Sequence, residues 1–222
     1  MKSEEELLKL AEEKGWIYLC NEEELNEEFM DKYSKKIKWG WISACQTLSE
    51  SFIEKHIEEV DWGFISRMQK LSEVFIERHA DRVDWSDISM VQTLSEEFIE
   101  KHTNNVWWGG ISSYQQLSEG FIEKHTKKVN WSWISYYQVL SEEFIDKHQD
   151  KVNWKWISSK QKLSEGFIEK YAKDVDWQQI MKNKKISKDV KDKHIRNTEA
   201  IKNNNTQNEG FKKPSKNEGQ SR

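Results

Sequence analysis

Residues 130–148 read NWSWISYYQVLSEEFIDKH, and near copies flank them on both sides. Residues 107–125 read WWGGISSYQQLSEGFIEKH, and residues 153–171 read NWKWISSKQKLSEGFIEKY. Working outward from Trp131, tryptophan recurs at 16, 39, 62, 85, 108, 131, 154 and 177, always 23 residues apart. With that Trp as position 0, Ile stands at position 3, Gln at 7, Leu-Ser-Glu at 9–11, Phe-Ile at 13–14, His at 17 and Val at 21. Eight anchors with no insertion define a tandem-repeat protein, and such periodicity outranks every other sequence signal.

Within a unit, positions 0, 3 and 7 share one helical face, and positions 13, 14, 17 and 21 share another. The Leu-Ser-Glu between them supplies an N-cap, an acid for the positive helix end, and a hydrophobic staple of Leu at 9 with Ile at 14. Asp or Asn before the Trp, at 61, 84, 130, 153 and 176, caps the first helix of its unit. A leucine-rich repeat has a similar period but needs alternating leucines around a strand, and none are present. The reading is an all-α superhelical solenoid of about eight 23-residue helix-turn-helix repeats. Each short helix pair is stabilised by stacking on its neighbours. The anchor Trp is read as a wedge between neighbouring units, at a cost of roughly 3–5 kcal/mol if truncated to Ala.

The ends are degenerate, as the end faces of a stack must be. Residues 1–15 form a capping helix, with Ser3 and Glu6 spaced as a capping box. Residues 16–199 hold the eight repeats, of which the first has Glu23 and the last Lys184 where the others have Gln. Residues 200–222 lack periodicity and contain the single Pro of the chain, which reads as a disordered basic tail. Formal charge follows this division: 23 Lys+Arg against 34 Asp+Glu over residues 1–180 gives −11, and 12 against 5 over 181–222 gives +7, summing to −4.

The acidic N-terminus is no signal peptide, and no apolar run approaches membrane-span length, so a cytoplasmic protein with no membrane partner is expected. Cys20 and Cys45 lack metal-ligand spacing. The histidines at position 17 recur one repeat apart, too far for a shared metal, and are read as aromatic bodies with polar tips. The position-7 glutamines read as a buried amide ladder that fixes register. Serine recurs in every unit, whereas a nucleophile occurs once, and no Walker loop, H-E-x-x-H or G-x-S-x-G stretch is present. No catalytic residue, metal ligand or cofactor is assigned, and the chain is not read as an enzyme.

Two surfaces remain. Paired carboxylates at positions 11 and 15, among them Glu96, Glu100, Glu119 and Glu123, line one face of the second helix. They are either a solvated outer face or a mimic of a phosphate backbone. Positions 2, 5 and 6 of the first helix vary freely and are rich in Trp, Tyr, Met and Arg, a composition typical of interface hot spots. Trp41, Phe64, Arg67, Met68, Tyr114, Trp133, Tyr136, Tyr137 and Trp156 are the candidate partner-binding residues. The alternative is that they fill gaps between units.

The pattern W-x-x-I-S-x-x-Q-x-L-S-E-x-F-I-[ED]-[KR]-H, nearly unbroken over residues 39–177, resembles short tandem repeats in uncharacterised proteins of phages, giant viruses and low-GC bacterial mobile elements. The resemblance transfers no functional residue. It implies a viral type of protein, and hence a host-defence inhibitor such as an anti-CRISPR. The expected function is a non-enzymatic, monomeric scaffold that binds another protein. A single-stranded RNA or DNA binder is the alternative, disfavoured by the acidic body, and nucleic-acid mimicry by the acidic stripe is a third.

Overall fold

The computed structural model describes residues 2–209, the side chains as far as residue 200. The chain opens with α1 (Glu4–Lys14) and continues in pairs: α2 (Trp16–Glu22) with α3 (Glu27–Lys32), α4 (Trp39–Cys45) with α5 (Glu50–Lys55), α6 (Trp62–Met68) with α7 (Glu73–Arg78), and α8 (Trp85–Val91) with α9 (Glu96–Lys101). Then come α10 (Trp108–Tyr114) with α11 (Glu119–Lys124), α12 (Trp131–Tyr137) with α13 (Glu142–Lys147), α14 (Trp154–Lys160) with α15 (Glu165–Lys170), and α16 (Trp177–Lys182) with α17 (Lys188–Glu209). Among the described residues there is no strand, and the fold is an α-solenoid of about eight repeats.

Most helices begin at a side-chain cap. Asp61 accepts from the N–H groups of Gly63 and Phe64, and Asp84 from those of Ser86 and Asp87. Asn130, Asn153 and Asp176 repeat the device. The second helices are capped by Ser49, Ser72, Ser95, Ser118, Ser141 and Ser164, each accepting from the N–H of the Phe three residues on. Substituting such a cap by Ala typically costs about 1 kcal/mol. At the start of the chain Ser3 and Glu6 form the reciprocal capping box. Gly15, with φ of 89°, turns α1 into α2 in a conformation that penalises a Cβ.

The described residues divide into two units, parting between Ile134 and Ser135. In the first, α1 packs on α2, and α2, α4, α6, α8 and α10 stack in series; in the second, α14 stacks on α16. The isoleucines at positions 3 and 14 are fully buried throughout, joined by Leu at 9, Phe at 13 and Val at 21. Burying a side chain of that size contributes about 1.5–3 kcal/mol. That is the stability which helices of six and seven residues lack alone.

Register is fixed by hydrogen bonds between repeats. Gln69 Nε2 donates to the carbonyls of Ser43 and Gln46, while its Oε1 accepts from the N–H of Leu48. Gln46, Gln92 and Gln115 make the same three bonds to their preceding repeats in the first unit, and Gln161 does so in the second. The amide ladder read from the sequence is therefore present. In the last repeat Asn183 performs the task instead, donating to the carbonyls of Ser158 and Gln161. Its amide starts one residue earlier and is one methylene shorter, so it reaches the carbonyls that Lys184 does not.

Two details depart from the sequence reading. The anchor tryptophans stack on rings of their own unit and join the preceding unit through a hydrogen bond. Trp39 packs on Phe52 and His56 of its own unit, with ring centroids 6.0 and 4.6 Å away, and its Nε1 donates to the Ser34 carbonyl of the preceding turn. The same Trp–Phe–His packing recurs at Trp62, Trp85 and Trp108, and the same bond to the residue five places before at every later anchor. Further, α17 runs 22 residues to Glu209, past residue 200 where the disordered tail was expected to begin. The rest of that tail, residues 210–222, lies outside the described residues.

Candidate binding faces

The second helices present the acidic stripe, and its carboxylates are engaged. At position 11, Glu50 accepts from the N–H and hydroxyl of Ser72, Glu73 from those of Ser95, and Glu96 from those of Ser118. In the second unit Glu142 accepts from Ser164 in the same way. Each carboxylate thus binds the cap of the next second helix.

At position 15 the carboxylate meets positions 16 and 17 of the next repeat. Asp31 contacts Lys55 and His56; Glu54, Arg78 and His79; Glu100, Lys124 and His125; Asp146, Lys170 and Tyr171. The imidazole Nε2 atoms lie 3.0, 2.8 and 2.6 Å from Asp31, Glu54 and Glu100. These bonds hold the carboxyls below their ordinary values: Glu54 mainly through His79, Asp31 and Glu100 through Lys55 and Lys124 ahead of their histidines, Asp146 through Lys170 and then Tyr171. Glu77 is lowered by Lys101 alone among its direct partners, and the Nε2 of His102 is left without a hydrogen bond. Of the stripe residues singled out from the sequence, Glu96 and Glu100 are therefore bonded within the stack, and Glu119 and Glu123 occupy the equivalent positions on α11.

The first helices turn their constant residues inward. Ser at position 4 is fully buried: Ser66 Oγ donates to the Trp62 carbonyl and accepts from the N–H of Asp84, which opens the next repeat. Ser43, Ser89, Ser112, Ser135 and Ser158 accept the same N–H. Cys20 stands in for that serine in the first repeat, with Lys38 N–H 3.4 Å from its sulfur.

The variable positions face outward, and they separate into two groups. In the first unit Trp41, Phe64, Met68, Tyr114 and Trp133 are 40–60 % exposed, and Tyr137 at the head of the second unit is exposed as well. The remaining candidates serve the junctions between repeats. Arg67, at position 5, places its Nε 2.9 Å from Asp87, at position 2 of the next repeat, and Asp87 is buried. Tyr136 meets Trp156 at the same pair of positions, edge to face with centroids 4.7 Å apart, and both are half-buried.

Sequence reading missed Trp107. It occupies the position where other repeats carry a capping Asp or Asn, makes no side-chain cap, and is 48 % exposed. Its indole lies over Gly109 and Gly110, where added Cβ atoms would meet ring atoms at 2.7 and 2.9 Å. Trp107 thus fills the space that a position-2 aromatic occupies elsewhere. The run WWGG, a bulky ring followed by two residues with no side chain, is the signal that pointed to it.

Among the described residues no group of His, Cys, Asp and Glu is arranged to hold a metal ion, and no helix is long and apolar enough to cross a membrane. Comparison of the chain with protein-family models, curated proteins and solved structures finds no match.

Proposed function

We propose that the chain is a non-enzymatic scaffold that binds another protein along the outward positions of its first helices. The observation that carries this reading is the series Trp41, Phe64, Met68, Trp107 and Tyr114, large apolar side chains held exposed on or beside α4, α6 and α10 of one unit. A stacked scaffold holds such side chains at fixed spacing, so little conformational entropy is lost when a partner covers them. Trp, Tyr and Met are the residues that dominate interface energies when buried in a partner's pockets.

The resemblance to repeats of phages and giant viruses directs the first search for that partner to host-defence proteins, CRISPR effectors included. The test is capture with the wild-type chain and with a Phe64→Ser, Met68→Ser, Tyr114→Ser variant, followed by mass spectrometry and a binding titration of each captured protein. A direct partner lost by the variant, with its melting temperature unchanged, is the expected result. Partners that bind the variant as tightly would sink the reading.

A further inference from the structure

We infer that the C-terminal end of α12 and the first helices α14 and α16, all within the C-terminal unit, form a binding surface for single-stranded nucleic acid. This surface is separate from the apolar series of the first unit and does not depend on the reading given for it.

The charge of this surface is one-sided. Residues 154–164 and 177–188 contain Lys155, Lys160, Lys162, Lys182, Lys184, Lys185 and Lys188, and no Asp or Glu. The carboxylate that precedes α16, Asp176, is occupied in capping the N–H of Gln179. On the second helices of the same unit two lysines are neutralised: Lys170 is paired with Asp146, and Lys193 with both Glu165 and Glu169. Among the described residues no carboxylate pairs with Lys155, Lys160, Lys162, Lys182 or Lys184. The acidity of residues 1–180 therefore gives no measure of this face, because most acids of this unit sit on the second helices.

Aromatic rings lie among these cations. Tyr136 is flanked by Tyr137 at 4.5 Å and by Trp156 at 4.7 Å, and Tyr137 is 47 % exposed. The ammonium of Lys160 lies 4.3 Å from the Tyr136 ring centroid, and that of Lys155 lies 5.7 Å from the Trp156 ring. Unpaired lysines interleaved with aromatic rings are what single-strand binders use, the cations tracking phosphates and the rings stacking on bases. A phosphate that draws Lys160 outward also uncovers the Tyr136 ring for a base. An acidic peptide would satisfy the lysines and leave the rings without flat partners.

The experiment is fluorescence anisotropy of the full chain with labelled oligouridylate and oligothymidylate of about 12 nucleotides, at about 50 and about 200 mM salt, with an oligoglutamate competitor. The expected result is binding whose log–log salt slope is about −2 to −3. The triple variant Lys155→Glu, Lys160→Glu, Lys162→Glu should weaken it at least tenfold, and Tyr137→Ala about threefold. The side chains of Lys155, Lys160 and Lys162 carry no hydrogen bond between repeats, so an unchanged melting curve of the triple variant is expected to accompany the loss. Absence of binding at the lower salt would overturn the proposal. So would binding that survives the triple variant, which would place it on other lysines, or oligoglutamate competing as well as the oligonucleotide, which would make the ligand an acidic protein.

Discussion

In every repeat but the last the first and second helices are almost equal in length, yet they use their side chains in opposite ways. On the second helices the carboxylates at positions 11 and 15 are nearly constant from repeat to repeat although exposed or half-buried, because they are bonded to the next repeat: Glu50 to Ser72, Glu54 to Arg78 and His79. On the first helices the constant residues, Ile, Ser and Gln, point inward, and the exposed ones change with every unit. Constancy within this repeat thus marks a side chain bonded to its neighbour, whether or not it is buried. Net charge is a poor guide to either surface, since most of the acids are committed within the stack. Variation marks two different things: junction pairs that change together, such as Arg67 with Asp87 and Tyr136 with Trp156, and exposed side chains such as Phe64 and Met68.

The sharpest way to break that division is at the amide ladder. Gln92 Nε2 donates to the carbonyls of Ser66 and Gln69, and Oε1 accepts from Leu71 N–H, all in buried surroundings. In Gln92→Glu a carboxylate faces two carbonyls and cannot donate to either. Leaving buried polar groups unsatisfied costs about 1–3 kcal/mol each, so a loss of about 3 kcal/mol or more is expected, read as the midpoint shift in urea unfolding. A variant as stable as the wild type would show that the ladder decorates the stack and does not hold it.

A smaller effect is expected from acid. Asp31, Glu54, Glu100 and Asp146 are held below their ordinary values of 3.8 for Asp and 4.5 for Glu by partners in the next repeat. A carboxyl lowered in the folded state adds stability that is fully present above its unfolded value and is lost as pH falls through the folded one. Their contribution should therefore be level down to about pH 5 and decline as pH falls through and below the ordinary carboxylate range. Because these groups are exposed, each contributes modestly. The sum over several junctions is what a pH series of thermal melts reads. In Glu54→Gln with Glu100→Gln the decline should be shallower, and an unaltered pH profile would detach the stripe from stability.

How far the sequence carries this division depends on the kind of contact. The ladder, the caps at 61, 84, 130, 153 and 176, and the Ser3–Glu6 box were legible because each rests on one residue type at one fixed offset. The tryptophan's place was not, since a period of 23 tells that Trp39 is constant but not whether its ring leans on Phe52 within the unit or on the unit before. Asn183 escaped because its amide reaches the ladder from a shifted position. The junction pairs escaped for another reason: positions 5 and 2 are 20 residues apart in the chain, as at Arg67 and Asp87, and no single residue type recurs there. Of the candidate partner residues, the sequence located the outward helix face but could not separate Arg67 and Tyr136, which serve junctions, from Phe64 and Met68, which stand clear.

That separation yields the smallest expected effect and the one that tests the comparison most closely. Phe64 and Met68 are 40 % and 56 % exposed, and neither side chain makes a hydrogen bond or ring contact. Surface substitutions away from caps, networks and cores usually change stability by no more than about 0.5 kcal/mol. Phe64→Ser and Met68→Ser should therefore unfold within that margin of the wild type, measured by urea titration. Arg67→Ser, one residue before Met68, should cost more, because it strands the buried carboxylate of Asp87. Restoring the loss with Asp87→Asn or Asp87→Ser in the Arg67→Ser background would identify the uncompensated charge as its cause. Equal costs at all three single positions would mean that the variable residues form one packed surface, and the distinction between junction and free face would fall.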